Sequence, residues 1–395
     1  MICVPAPRPS STLLEAFENQ DEAFAPAFAI LQEAMNQQAF PAASVAVTSK
    51  GSLVALKALG SITPAAGAPS FASFAKEPAL SLLKGGQGEV APSTLFDLAS
   101  LTKVVATTTT AMLLYERGLL DLEAPVSAIA PEFTTDAAKD PRRHGVTLRM
   151  LLAHSSGLPA HEKFFLKART RAELLQTAFT TPLAANPATR AEYSDVGFII
   201  LGIALERLAD ESLDRFCQRE IFAPLAMTHT TFNPPLEIRA KIPTTADDQT
   251  FRQRRIQGEV QDENASVLGG VAPHAGLFST AEDLAKFAQA MLNQGSSILR
   301  PETVALFTRR ESAPPGTSRA LGWDTPSPPS QSGKYFSPQS FGHLGYTGTS
   351  LWIDPTRQLS ITLLTNRTWP DCSNQAIKQI RPNFHDAIIE TLNLD

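Results

Sequence analysis

Three cysteines in 395 residues, Cys3, Cys217 and Cys372, stand far apart and in odd number. With no CxxC pair and no Cys/His cluster, they support neither a disulfide framework nor a zinc site. Long apolar runs are missing too: nothing approaches the roughly 18 consecutive apolar residues of a membrane span. The opening MICVPAPRPSSTLLEAFENQDEAF has prolines and early acids but no apolar stretch of leader length, so a cytoplasmic location is expected. Positive charge is in short supply: the formal net charge is −5. No basic footprint for nucleic acid or for a membrane surface follows from that balance. A phosphate-cradling glycine loop and a G-x-S-x-G elbow are both absent. No cofactor is therefore expected, and no nucleophile presented in the manner of an α/β-hydrolase.

What is present is an ordinary globular composition, 43% hydrophobic and 18% charged, long enough for one large domain or two. Phe24, Phe28, Leu31 and Met35 recur at helical spacing over 22–37, and residues 44–59 alternate as two strands around a turn at Ser49–Gly51. A loop rich in small residues and proline spans 61–93. A helix opens near Ser100, residues 120 to about 240 read mostly as helices and loops, and a helix over 279–295 starts at Ser279-x-x-Glu282, a capping-box pattern. After a Pro/Ser-rich stretch at 313–340, residues 349–366 read as two strands around Asp354-Pro355. A last amphipathic helix carries Ile377, Ile380, Phe384 and Ile388 on one face. The predicted fold is α+β, an α/β sandwich. Its antiparallel sheet comes from both chain ends and is flanked by terminal helices, with a mostly helical domain inserted. The division expected is 20–115 with 275–395 for the sheet domain and 116–274 for the insert, with the active site between them.

Three elements carry chemistry. Ser100-x-x-Lys103 opens the helix at FDLASLTKVVATTTT. At i, i+3 on a helix the ammonium lies near the serine oxygen, and the helix N-terminus favours a developing anion. The same spacing also suits an N-cap serine with a lysine whose stem lies on apolar surface. A second copy, Ser81-x-x-Lys84, runs into Gly85-Gly86, where no helix can hold the register. Tyr193-Ser194-Asp195 is the second element, with a phenol that a lysine cation can turn into a base or, equally, a capped helix start. The third is Gly342-His343-Leu344-Gly345-Tyr346-Thr347-Gly348, where glycines at a strand entry permit close approach of a ligand, or merely a tight turn.

In this order the three elements resemble the serine β-lactamase and penicillin-binding-protein superfamily, in its class C-like branch with D,D-peptidases and family VIII carboxylesterases. The stretches LRMLLAHSSGLP, GEVQDENASVLGGVAPHAGLFSTAEDLAKF and GTSLWIDP are similar to that branch as well. The resemblance covers about 40–370. It implies Ser100 as acylated nucleophile, Lys103 as its proton-accepting and electrostatic partner, and Tyr193 as general base. It also implies an oxyanion hole from the N–H groups of Ser100 and Tyr346, with Asp195, His343, Leu344 and Gly345 contacting substrate. Departures are visible: Asp195 stands for the usual Asn, Leu344 for a carboxylate-receiving Thr, and Gln261 and Pro273 for His and Gly, where they could reshape the site entrance.

These features predict a serine hydrolase acting through an acyl-enzyme on small esters or amides, foremost a carboxylesterase with weak or no β-lactamase activity. The alternatives are a β-lactamase or D,D-carboxypeptidase, or an acyltransferase on the same scaffold. His154 is expected to be structural. Asp262, Glu263 and Asn264 are candidates for lining the cleft or, equally, for a solvated loop with a helix cap, and Trp323 with Phe336 for an apolar wall.

Overall fold

The computed structural model describes residues 14–15, 19–62, 88–135 and 138–394. The second S-x-x-K copy, Ser81–Lys84, lies outside the described residues. A six-stranded sheet orders β1 (Leu14–Glu15), β3 (Ser52–Gly60), β2 (Ala42–Ser49), β11 (Leu359–Thr365), β10 (Ser350–Asp354) and β9 (Phe341–Leu344). All neighbours are antiparallel except β1 with β3. The central pairing of β2 with β11, from Leu359 opposite Ser49 to Thr365 opposite Ala43, is what joins the two ends of the chain.

Side-chain alternation decides which face meets which helix. Ala43, Val45 and Val47 of β2, with Leu359, Ile361 and Leu363 of β11, pack against the terminal helices Ala25–Asn36 and Ile377–Thr391. The opposite face, with Ala42, Ala46, Leu351, Ile353 and Leu364, joins a larger core shared with Leu284 and Phe287 of the helix Ala281–Leu292. That core continues without a break into the helical region, through Leu101, Val104, Phe198 and Leu201. Two smaller sheets complete the fold. The first orders β4 (Phe96–Asp97), β8 (Leu277–Ser279) and β5 (Thr231–Phe232); the second is the hairpin of β6 (Thr244–Asp248) and β7 (Arg254–Gln257). We propose the division at 115/116 and 274/275 as a topological one, since apolar contact crosses it.

Three expectations need correction. The helix at 281 is capped by Thr280, whose side chain accepts from the Asp283 N–H, and not by Ser279. Ser279 sits in β8 with its hydroxyl bonded to Thr230 (2.7 Å), so it is not free to cap. Trp323 and Phe336 do not form a wall of the site. Trp323 is enclosed against Phe287 and Phe341, and Phe336 packs on Trp352 and His385. Pro273 does not shape the site entrance either; it packs on Gly202 of the helix Asp195–Ala209, where a Cβ would come 2.2 Å from its ring. Gly202→Ala is therefore expected to cost about 1–3 kcal/mol by overpacking. A urea midpoint equal to wild type would show that Pro273 yields freely.

Candidate active site

Phe96–Asp97 pairs with β8, and the chain then turns sharply through Ala99, whose φ of 45° is a left-handed conformation that alanine rarely adopts. A 3₁₀ turn over Ala99–Leu101 follows, then a wide π-type turn over Lys103–Thr108, and only then the regular helix Thr109–Glu116. The expected uninterrupted helix is thus widened where Lys103 enters it, a distortion that recurs at functional sites. Ser100 is half-buried and lines a cavity of about 900 Å³.

Lys103 does not snorkel; it is fully buried. Its Nζ donates to Ser100 Oγ at 3.0 Å and to the His274 carbonyl at 3.0 Å, and it pairs with Asp195 Oδ1 at 2.7 Å. The ring of Tyr193 lies 4.8 Å from the same nitrogen. Ser100 therefore does not serve as a cap: its oxygen receives the ammonium. Burial works against the lysine charge, but the Asp195 carboxylate and the Tyr193 phenol outweigh it and hold Lys103 above the ordinary lysine value. Burial would likewise raise Asp195, yet Lys103, His161 and His274 keep its carboxyl far below the usual carboxylate range.

Tyr193 departs from expectation. Burial raises its phenol, Lys103 offsets this only in part, and Asp195 adds to the rise. Burial is the largest of these effects and Asp195 reinforces it, so the neutral phenol is favoured over the phenolate in the resting site.

The tyrosine is held by histidines. His154, at a positive φ of 54°, accepts the Ser194 N–H on Nδ1 (2.9 Å) and sets its ring 4.7 Å from that of Tyr193. Burial, together with Arg319 and Lys103, keeps it neutral, well below an ordinary histidine. Its structural role is to aim Tyr193. His343, buried 5.8 Å ring-to-ring from Tyr193, points Nδ1 at the Leu344 carbonyl (2.8 Å). That contact requires the proton on Nδ1 and leaves Nε2 as a bare acceptor. Burial and the nearby cations push its pKa down to about 3.

Ser100, Tyr193, Asp195, His343, Leu344, Gly345 and Tyr346 all line the one cavity, and Lys103 stands behind Ser100. Gly345 serves packing more than ligand approach: a Cβ there would lie 2.6 Å from the Leu98 carbonyl and 1.9 Å from Thr349 Oγ1. Asp262 and Glu263 also line the cavity, and Asp262 pairs with His274 Nε2 at 3.0 Å. Asn264 is buried elsewhere, bridging Phe165 N–H and the Glu162 carbonyl.

Several lining residues carried no sequence signal. His161 reaches Asp195 Oδ2 at 3.6 Å, and that carboxylate raises its pKa. Arg319 lies 5.4 Å above the Tyr193 ring. Arg367, Lys378 and Arg381 line the cavity with no carboxylate partner among the described residues. Arg367 donates to the Tyr346 carbonyl at 2.7 Å, and Arg381 to that of Gly348 at 3.2 Å. No helix among the described residues is long and apolar enough to cross a membrane.

A family model described as Beta-lactamase matches residues 27–381. The N-acetylmuramyl-L-alanine amidase of Bacillus subtilis (strain 168) is 35% identical over 303 residues, 69% of this chain and 68% of that protein. Among solved structures, EstCE1, described as a hydrolase with promiscuous acyltransferase activity, superposes with a TM-score of 0.71 at 20% identity, over 93% of this chain and 99% of that one. A class C β-lactamase from Rhodobacter sphaeroides gives 0.67 at 21% identity, over 94% and 99%. Those two show a common fold, while the match to the family model spans nearly the whole described chain. The chain belongs to the β-lactamase family, the serine β-lactamase and penicillin-binding-protein-like hydrolases.

Proposed function

We propose that the protein hydrolyses carboxylic esters through an acyl-enzyme on Ser100. The observation that carries this reading is the Lys103 ammonium, buried and held 3.0 Å from Ser100 Oγ, with Tyr193 against it in an open cavity. In the proposed cycle a deprotonated Tyr193 takes the Ser100 proton as Oγ bonds to the substrate carbonyl carbon. The oxyanion is received by the N–H groups of Ser100 and Tyr346, neither of which is bonded to a protein acceptor among the described residues. Collapse breaks the bond to the leaving oxygen, which takes the proton from Tyr193. Water then repeats the sequence on the acyl group, with Tyr193 again as base. Lys103 stays charged throughout and stabilises the phenolate.

A second reading is amide or peptide hydrolysis of a carboxylate-bearing substrate, as an amidase or D,D-carboxypeptidase would perform. Arg367, Lys378 and Arg381, which have no carboxylate partner among the described residues, favour it, since they supply positive charge that Leu344 cannot. The similar amidase is consistent with that reading. A p-nitrophenyl ester, a chromogenic cephalosporin and a D-Ala-D-Ala peptide separate the readings. Ester turnover well above the other two is expected, with Ser100→Ala abolishing it to background. Ester turnover persisting in Ser100→Ala would end the mechanism; faster peptide or cephalosporin turnover would replace only the substrate.

A further inference from the structure

Three separate segments must meet for this site to exist: the nucleophile turn at 97–100, the 261–275 loop and the turn between β9 and β10. Their shared contact is Asp97, an acid three residues before Ser100 in an apolar stretch. It is 1% exposed and has no cation paired with it among the described residues. Oδ1 accepts the Ala99 N–H at 2.8 Å, across the one residue of the turn with a positive φ. Oδ2 accepts the Gln261 N–H at 2.7 Å, from a residue 164 positions away. The Asp97 carbonyl accepts the Thr347 hydroxyl at 2.8 Å, next to Tyr346.

We propose that the ionised Asp97 carboxylate is a positioning residue for the reaction at Ser100, holding the nucleophile turn and the 261–275 loop in their catalytic relation. The proposal rests on Ser100 being the nucleophile. Both oxygens accept a backbone N–H, so a carboxylate satisfies the pair, whereas a protonated carboxyl or an amide presents a donor to one of them. The Gln261 segment then loosens, and with it Asp262 and the His274 carbonyl that anchors Lys103. A strained Ala99 would also relax, turning Ser100 away from Lys103.

The energetics separate this role from simple scaffolding. Burial raises the Asp97 pKa from 3.8 to about 6, with the two backbone N–H groups opposing that rise; Asp262 adds to it and Arg252 opposes it. Because the folded value lies above the ordinary one, the stability contributed by the protonated form is present below about pH 4 and lost as pH rises through about 6. At neutral pH the fold therefore carries the ionised group at a cost, in exchange for site geometry.

The test compares wild type with Asp97→Asn on a p-nitrophenyl ester between pH 5 and 9, alongside thermal unfolding at pH 8. The expected result is a kcat lowered about tenfold or more with KM little changed, and an unfolding midpoint equal to or above wild type. Below about pH 6 the wild type should fall more steeply than the dependence on Tyr193 alone requires, and that extra steepness should be absent from the variant. Hydrogen exchange on wild type needs neither variant nor substrate: peptides covering Ala99 and Gln261 should lose protection between pH 8 and 5, after correction for intrinsic rates. A midpoint lowered in step with activity, an acid limb as steep in Asp97→Asn as in wild type, or protection unchanged with pH would each overturn the proposal. Failure of Ser100 itself would show differently, as activity retained in Ser100→Ala.

Discussion

Lys103→Met is expected to lower kcat/KM by about 10²–10⁴-fold, the range for losing a positioned proton-transfer or charge-stabilising group. The lysine is the hub of the site, donating to Ser100 and to the His274 carbonyl while paired with Asp195. Removing it has a structural consequence too. Among the described residues, Asp195 would keep its charge with His161 at 3.6 Å as its one remaining ion pair and His274 as weaker support. Leaving such a group poorly paired costs about 1–3 kcal/mol, less than for a sealed pair because the Asp195 side chain retains 18% exposure. Adding Asp195→Asn to Lys103→Met should recover most of that stability and none of the activity. If the double variant regained turnover, Lys103 would be a scaffold for its neighbours and not part of the chemistry. The pair's own contribution is flat across neutral pH. The lowered Asp195 value makes its share disappear only under acid conditions, and the raised Lys103 value only under strongly alkaline ones.

Tyr193→Phe is expected to have a loss of the same order, about 10²–10⁴-fold, with a distinctive dependence on pH. Because the phenol lies above the ordinary tyrosine value, only a small fraction is ionised near neutrality. The wild-type kcat/KM should then climb steadily from pH 7 toward 10, and Tyr193→Phe should lose that climb. Asp195 raises both Lys103 and Tyr193, so Asp195→Asn should move the alkaline limb to lower pH. A wild-type profile already level at pH 7, or a limb unmoved in Asp195→Asn, would require a base other than this phenol. Asp195 would then set the working pH of the site.

How much of this was legible in the sequence depends on how locally each feature is encoded. Ser100 and Lys103 stand three residues apart at a helix opening, a spacing that can bring them together but suits an N-cap with a snorkelling lysine as well. The sheet was legible because β2, β3, β10 and β11 each alternate and each pair is closed by a turn. The cap at Ser279 was misplaced by one residue because its hydroxyl is spent on Thr230, forty-nine residues away in sequence. Trp323 and Phe336 were misassigned since apolar character says that a side chain is buried but not against what. Asp97 was invisible for the same physical reason: its partners are backbone N–H groups, which every residue but proline possesses. The raised Tyr193 phenol was equally hidden, being burial and the Asp195 charge set against the Lys103 charge, and only the folded arrangement supplies those distances.

The central claim is that Ser100 carries the acyl group. Its most direct test is intact-protein and peptide mass spectrometry after treatment with a p-nitrophenyl alkylphosphonate, which transfers its phosphonyl group to an activated serine. One adduct per chain, located on Ser100, formed far more slowly in Lys103→Met and absent from Ser100→Ala, is the predicted result. An adduct on another residue, or equal labelling in Ser100→Ala, would contradict it.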